Sequence, residues 1–236
     1  MTIASTSAAA RAARHETAPW RLVVCAIEAD LASLEVARQA TALSDGGRLE
    51  VAAAAGVGPT GTAYVDAARV IAAREGVVTV VRHVRGADTI PAVLRLAGTD
   101  GLLVVGVGRA REPLGELAYT AVLGAASCVL VARQPDPCGA VTDRIAVVVN
   151  SDSDRSEGTV LARALARMRG AAFVGAIDGG VCRSSDDIIG VARRLDASLV
   201  VVDAPAWRHA DAAARRSLAV AARAHCSVLV ARNADR

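Results

Sequence analysis

Several residue types are scarce in this chain, and each scarcity excludes a class of protein. The 236 residues contain no lysine, so all 27 basic residues are arginine, and aromatic residues make up only 2%. The core must therefore consist of Val, Ala, Leu and Ile, which suits buried parallel strands covered by alanine-rich helices. No run of about 18 consecutive apolar residues occurs, so no membrane-spanning helix and no membrane partner are expected.

The charge balance argues against a nucleic-acid partner. The formal net charge is only +3, and the arginines are interspersed with 24 acidic residues rather than clustered. Domains that bind DNA or RNA usually concentrate their positive charge on one face. We therefore expect no nucleic-acid partner.

The cysteines and the first residues point to a cytoplasmic protein. No C-x-x-C spacing occurs, and we expect small, reduced core residues rather than zinc ligands or disulfides. The five cysteines are Cys25, Cys128, Cys138, Cys182 and Cys226. Residues 1–19 are rich in Ala, Ser and Thr without the apolar region of a secretory signal, and they are predicted to be a disordered tail.

The chain contains an internal repeat. The segment Val-Leu-Val-Ala-Arg occurs at residues 129–133 and again at residues 228–232, and each copy follows a helical segment and a cysteine. Gly47 and Gly170 occupy matching places earlier in the two copies. A duplicated unit follows, and any ligand site should occur in two versions. The second copy lacks a counterpart of the second helix and third strand of the first.

Strand and helix patterns alternate through both copies, which indicates parallel, doubly wound sheets. The predicted fold is α/β, with two Rossmann-like units in tandem, the second abbreviated. We expect a tail at residues 1–19, unit 1 at 20–134, a Pro-containing linker at 135–142 and unit 2 at 143–236. Thr62 is predicted to cap the second helix, and Ser151-Asp152-Ser153 to cap the first helix of unit 2.

Ligands of such sheets bind beyond the carboxyl ends of the strands, near the point where the strand order reverses. Glycines after a strand let backbone amides approach a phosphate. Three loops of unit 1 meet this description, although neither a P-loop nor a G-x-G-x-x-G motif is present. The candidate nucleotide-contacting residues are Glu28, Ala29, Val84, Gly86, Gly106, Gly108 and Arg109.

No arrangement of catalytic residues is visible, so no enzyme activity and no catalytic residue are predicted. The histidines are scattered, and neither a Ser/His/Asp nor a Cys/His order occurs. Asp152, Asp154 and Asp203 follow strands of unit 2, where a metal ion could bind. We interpret them as helix caps and turn residues, and we predict no metal site.

The chain resembles the universal stress protein family in its tandem form. The resemblance rests on the strand order, on Leu-Leu-Val-Val-Gly at residues 102–106, on Ala-Val-Leu at 121–123 and on the two Val-Leu-Val closing strands. In nucleotide-binding members an Asp follows strand one, and G-x-x-G, nine residues and G-[ST] follow strand four. The resemblance also implies that the fifth strands pair antiparallel, which here would form a pseudo-dimer within one chain.

The sequence departs from the nucleotide-binding pattern at most positions. Glu28 stands at the Asp position, Arg109 at the second glycine and Glu116 close to the G-[ST] step, while Asp203 replaces the first glycine in unit 2. A carboxylate about 4 Å from a phosphate costs up to about 4 kcal/mol at an effective dielectric near 20. Such a cost weakens binding about a thousandfold.

Two functions are consistent with the sequence. The first is a non-enzymatic, stress-related scaffold or signalling protein with no cofactor, largely lost ATP binding and an unidentified protein partner. The alternative is a sensor that binds ATP or another adenine nucleotide in unit 1 alone. Glu28 separates them, because restored binding in Glu28→Asp would indicate an eroded site. Either function is compatible with a homodimer.

Overall fold

The computed structural model describes ten stretches of the chain. They are residues 19–28, 30–44, 48–54, 58–84, 89–108, 114–133, 144–148, 156–177, 184–204 and 212–232. The predicted linker lies outside the described residues, as does nearly all of the predicted tail. Within these stretches the chain forms nine strands and seven helices.

The first half contains five strands and four helices. Its elements are β1 (Leu22–Ile27), α1 (Ala32–Ser44), β2 (Arg48–Ala54), α2 (Gly58–Arg74), β3 (Thr79–Val84), α3 (Thr89–Leu96), β4 (Leu102–Gly106), α4 (Glu116–Gly124) and β5 (Cys128–Ala132). The second half contains four strands and three helices among the described residues. They are β6 (Arg144–Val148), α5 (Glu157–Arg169), β7 (Ala172–Ile177), α6 (Ser185–Arg194), β8 (Leu199–Ala204), α7 (Ala212–Arg223) and β9 (Ser227–Arg232).

All nine strands form one sheet, in the order β3-β2-β1-β4-β5-β9-β8-β6-β7. The order β7-β6-β8-β9 repeats β2-β1-β4-β5, so the described part of the second half has no counterpart of β3. Within each half the neighbouring strands are parallel. The predicted α/β class with parallel, doubly wound sheets is confirmed.

Helices cover both faces of the sheet. On one face α1, α2 and α5 pack their buried Val, Leu and Ala side chains on alternate strand residues such as Cys25, Leu130 and Leu229. On the other face α3, α4, α6 and α7 pack on the remaining ones, such as Val105, Val131 and Val230. Burial on both faces explains why the central strands are continuous apolar runs.

The two halves meet where β5 and β9 pair antiparallel. Val129 lies opposite Val230, Leu130 opposite Leu229 and Val131 opposite Val228. All residues of both strands are buried. The predicted pairing of the two repeated segments is therefore confirmed, and it removes two apolar edge strands that would otherwise need a partner.

The arginines that close the two repeats reach across this junction. Arg133 donates from Nη2 to the carbonyl oxygens of Ala221 and Ala222, at 2.7 and 2.8 Å, in the last turn of α7. Arg232 donates to the carbonyl oxygen of Val122 in the last turn of α4. Burial lowers the pKa of both guanidinium groups. Each half thus caps the last helix of the other with a cation, the charge that a helix C-terminus favours.

Two predicted helix caps are wrong. Helix α2 begins at Gly58 rather than at Thr62, whose hydroxyl donates to the Gly58 carbonyl oxygen at 3.1 Å from inside the helix. Pro59 supplies the physical reason, because its fixed φ and missing N–H suit a first helical turn. Helix α5 is capped by Ser156, whose hydroxyl accepts from the Thr159 amide at 3.2 Å, and the predicted cap at residues 151–153 lies outside the described residues.

The cysteines that the structure describes are buried and free. They are Cys25, Cys128 and Cys226. Burial raises the pKa of all three thiols, that of Cys226 to about 12. They are core residues, as the sequence predicts, while the other two cysteines lie outside the described residues.

Candidate functional site

The turn from β1 into α1 fixes the first candidate residue, Glu28. Its amide donates to the Ser33 hydroxyl at 3.0 Å, and that hydroxyl also contacts the Glu28 carbonyl oxygen. Asp30 accepts from the Ser33 amide at 3.1 Å, so its carboxylate caps α1. The backbone of Glu28 is therefore committed to the turn, and its partly exposed side chain stands at the carboxyl edge of the sheet. Ala29 lies outside the described residues.

Gly106, the last residue of β4, lies directly beneath α1. A Cβ atom at this position would approach the Ala32 Cβ to 3.1 Å and the Val36 Cγ2 to 3.4 Å. Close packing of helix on strand therefore accounts for this glycine. A phosphate contact is not needed to explain it.

Gly108 is fixed by its backbone conformation and by a second glycine. Its φ is +87°, a region that favours glycine, and a Cβ there would lie 2.6 Å from the Gly115 Cα. The Gly115 amide donates to the Val107 carbonyl oxygen at 2.8 Å. These contacts hold Val107 and Gly108, which follow β4, against Gly115, which precedes α4. The sequence prediction missed Gly115 as the partner of Gly108.

The N-terminus of α4 stands beside this glycine pair. Gly115 is its N-cap, with an extended backbone and no side-chain hydrogen bond to the helix amides. Four amides at the start of any helix lack an intrahelical partner, and together with the helix dipole they attract anions. The exposed Glu116 places a carboxylate in this first turn.

Val84, the described residue of the third candidate site, is one strand further away. Val84 ends β3, which pairs with β2 and not with β1, and its partly buried side chain packs on the core of the second face. The strand order places Glu28, Gly106 and Gly108 at the carboxyl ends of the adjacent strands β1 and β4, with β2 between them and Val84. Gly86 and Arg109 lie outside the described residues.

The corresponding place in the second half holds a carboxylate. Asp203 stands near the end of β8, where Gly106 ends β4, and its Oδ1 accepts from the Gly158 amide at 2.6 Å. Its Oδ2 is buried and has no hydrogen-bond partner among the residues that the structure describes. A Cβ on Gly158 would approach Asp203 Oδ1 to 2.7 Å, so the close contact requires glycine. Asp203 thus accepts a hydrogen bond in the first turn of α5, in agreement with the prediction that it caps a helix. Asp152 and Asp154 lie outside the described residues.

The described residues offer neither a metal-binding cluster nor a membrane-spanning helix. They contain no group of three or more His, Cys, Asp or Glu side chains that is arranged to hold a metal ion. No helix in the described part of the chain is long and apolar enough to span a membrane.

Comparisons with known proteins show the fold. No family model matches the chain, and no curated protein matches its sequence. A protein of unknown function from Pseudomonas aeruginosa PAO1 superposes with a TM-score of 0.71 at 16% identity, covering 95% of this chain and 95% of that chain. A universal stress protein from Archaeoglobus fulgidus DSM 4304 superposes with a TM-score of 0.67 at 12% identity, covering 91% of this chain and 97% of that chain. This chain therefore shares its fold with a universal stress protein, over both halves.

Proposed function

We propose that this chain is a universal stress protein of the tandem type. In this proposal it acts as a non-enzymatic scaffold or signalling protein in a stress response, and it has largely lost ATP binding. The likeness in fold to the Archaeoglobus fulgidus protein supports the family. The observation that carries the loss of binding is the contact between Asp203 and the Gly158 amide in the second half.

The contact of Asp203 works against a bound nucleotide in two ways. The amide that an anion would use already donates to a carboxylate, at 2.6 Å. A phosphate about 4 Å from that carboxylate would lose up to about 4 kcal/mol at an effective dielectric near 20. A nucleotide in the second half would therefore bind about a thousandfold more weakly than at an uncharged site.

In the first half the features that oppose nucleotide binding are fewer. The place beneath α1 at Gly106 is filled by Ala32 and Val36, and Glu116 adds a negative charge at the start of α4. The absence of a side-chain cap at Gly115 nevertheless leaves α4 with the chemistry of an anion site. This observation favours the second candidate, a sensor that binds an adenine nucleotide in the first half alone.

Isothermal titration separates the two functions. The purified protein is titrated with ATP, ADP, AMP and cyclic AMP, each with and without magnesium. The scaffold predicts no heat of binding at millimolar nucleotide, whereas micromolar binding at one site per chain would establish the sensor. A double variant, Glu28→Asp with Glu116→Ser, tests whether these two carboxylates prevent nucleotide binding. It restores the family residue after β1 and a hydroxyl after Gly115. A gain of binding by this variant alone would show that these carboxylates had closed the site.

A further inference from the structure

The two strands that join the halves carry the same residues, so they cannot by themselves decide which halves pair. Each includes residues of the repeated Val-Leu-Val-Ala-Arg segment, at residues 129–133 and at residues 228–232. The antiparallel register centres on Leu130 opposite Leu229, with valine opposite valine on either side. A pair of first halves would therefore form the same contacts between strands. Any preference for a first half with a second half must come from residues beside the strands.

A buried polar network crosses the junction beside Ser227. Gln39 of α1 is 2% exposed, and its Oε1 accepts from the Ser227 hydroxyl at 2.9 Å. Its Nε2 donates to Glu35 Oε1 at 2.7 Å and to the Arg133 carbonyl oxygen at 2.8 Å. The Ser227 hydroxyl in turn accepts from the Arg133 amide at 3.0 Å. The side-chain amide of Gln39 is thus paired at both its oxygen and its nitrogen, and the donor to its oxygen belongs to the other half.

The matching place on the other side of the junction holds different residues. Cys128 of the first half occupies the position that corresponds to Ser227, and its Sγ accepts from the Arg232 amide at 3.4 Å. The spacing of the repeat puts Ala162 of α5 where α1 has Gln39. Ala162 is buried and offers no polar side chain. The two sides of the junction therefore share the strand pairing but not the pair of glutamine and serine.

We propose that Gln39 and Ser227 make the junction selective, so that a first half pairs with a second half and rejects another first half. In a pair of first halves, Cys128 would face Gln39 in place of Ser227. A thiol is a weak hydrogen-bond donor, so the Gln39 Oε1 would be buried without an adequate partner. Such a loss weakens pairing by about ten- to a hundredfold, and a pair of first halves incurs it twice.

The selection assigns one kind of partner to each half. A pair of second halves lacks the network as well, because Ala162 offers the Ser227 hydroxyl no amide. Each half therefore fits the other half, from the same chain or from a second copy. A homodimer of this chain would then form through another surface or by exchange of halves. Nucleotide binding plays no part in this selection.

Pulsed electron spin resonance distinguishes the possible pairings in the full chain. Ala126 and His225 are exposed at matching places, each two residues before the strand that enters the junction. A nitroxide is attached there through a ketone-bearing residue, which spares the native cysteines. Labels at both positions of one chain give the reference distance across the junction. A chain labelled at Ala126 alone gives that distance between two copies only when two first halves pair.

The variants change the selection in a stated direction. After refolding from urea at high protein concentration, the singly labelled wild type should show no signal at the reference distance. Cys128→Ser with Ser227→Cys exchanges the two residues and should raise the share of paired first halves by about tenfold or more, because Gln39 then meets a hydroxyl in another first half. Gln39→Leu should raise that share less, since neither pairing then leaves an amide oxygen buried without a donor.

A matched control lies on the same helix. Thr41 is 3% exposed, and its hydroxyl donates to the Ala37 carbonyl oxygen at 2.7 Å. Thr41→Val therefore removes a buried hydrogen bond that does not cross the junction, and it should leave the pairing unchanged.

Two results would overturn the proposal. One is a signal at the reference distance in the singly labelled wild type. The other is a signal in the exchange variant and in Gln39→Leu that is no larger than in Thr41→Val. If the exchange variant does not refold, Gln39→Leu alone decides the question. Nucleotide titration of the same proteins is independent of these results, so the proposed function and the proposed selectivity can fail separately.

Discussion

The ends of β4 and β8 occupy matching places in the two halves, yet they leave different surfaces for a ligand. Gly106 has no side chain and is covered by α1, so the first half presents backbone and the N-terminus of α4. Asp203 projects a carboxylate onto the first turn of α5, so the second half supplies its own anion. Two halves with the same strand order thus keep the same packing, while at this matching place one half has a glycine and the other a carboxylate that contacts its own helix.

The largest expected effect compares one glycine from each half. Gly108→Ala should lower the free energy of unfolding by about 3 kcal/mol, because left-handed strain of about 1–2 kcal/mol is joined by a clash with the Gly115 backbone. Gly170, the C-cap of α5, also has a positive φ but has open space around it. Gly170→Ala should therefore cost only about 1 kcal/mol. Urea denaturation measures both, and equal costs would show that the close contact between Gly108 and Gly115 adds nothing to the cost of the positive φ.

The next largest loss of stability is expected from replacing the arginines that reach across the junction of β5 and β9. Arg133→Met and Arg232→Met should each destabilise the protein by about 2 kcal/mol, because each leaves helix carbonyl groups buried without a donor. Arg38→Met, on the exposed surface of α1, is the control and should change stability by less than about 0.5 kcal/mol. The same denaturation curves test this expectation. A cost at the junction no larger than that of the control would mean that the reciprocal caps do not hold the halves together.

The buried thiol of Cys226 predicts a loss of stability at alkaline pH. An unfolded thiol has a pKa near 8.5, whereas burial raises the pKa of Cys226 in the folded protein to about 12. Between these values only the unfolded chain releases the proton, so stability is full below the lower pKa and falls as the pH rises. Each such thiol contributes a slope of about 1.4 kcal/mol per pH unit. Cys226→Ala should remove that share between pH 9 and pH 10, and identical slopes for the two proteins would contradict the assignment.

The sequence anticipates the sheet better than the site, and particular residues show why. Buried parallel strands leave long apolar runs. The resemblance to the universal stress protein family implies antiparallel fifth strands, and the repeated Val-Leu-Val-Ala-Arg segment identifies them as β5 and β9. The contact of Asp203 with Gly158 joins residues on different elements, and the spacing of neither residue along the chain reveals it. The closure of Gly108 on Gly115 depends on a backbone angle, for which the presence of two glycines is the only signal.

The exposure of Val160 was likewise invisible in the sequence. A valine inside an amphipathic helix is normally assigned to the core, but Val160 is exposed, and the described residues of the second half contain no counterpart of α2 to cover it. The repeat does supply the alignment of the two halves. That alignment identifies the side of α5 that corresponds to the α2-facing side of α1.

The smallest effect concerns the carboxylate that distinguishes the two halves. Asp203→Asn should lower the free energy of unfolding by about 1 kcal/mol, because it removes a negative charge from the N-terminus of α5. Asp66→Asn is the control, since Asp66 is exposed on α2 and pairs with Arg69 at 3.5 Å. This control should stay within about 0.5 kcal/mol of the wild type. If the two variants lost equal stability, Asp203 would not be acting as a cap.

The most direct test of the account is a titration of the ¹⁵N-labelled protein with magnesium ATP, followed at individual amides by NMR. The account predicts no saturable shift at millimolar ATP, either at Gly108, Gly115 and Glu116 or at Gly158 and Thr159. Saturable shifts at the start of α4 alone would replace the scaffold with the sensor. Saturable shifts at the start of α5 would contradict the central claim that Asp203 fills the site of the second half.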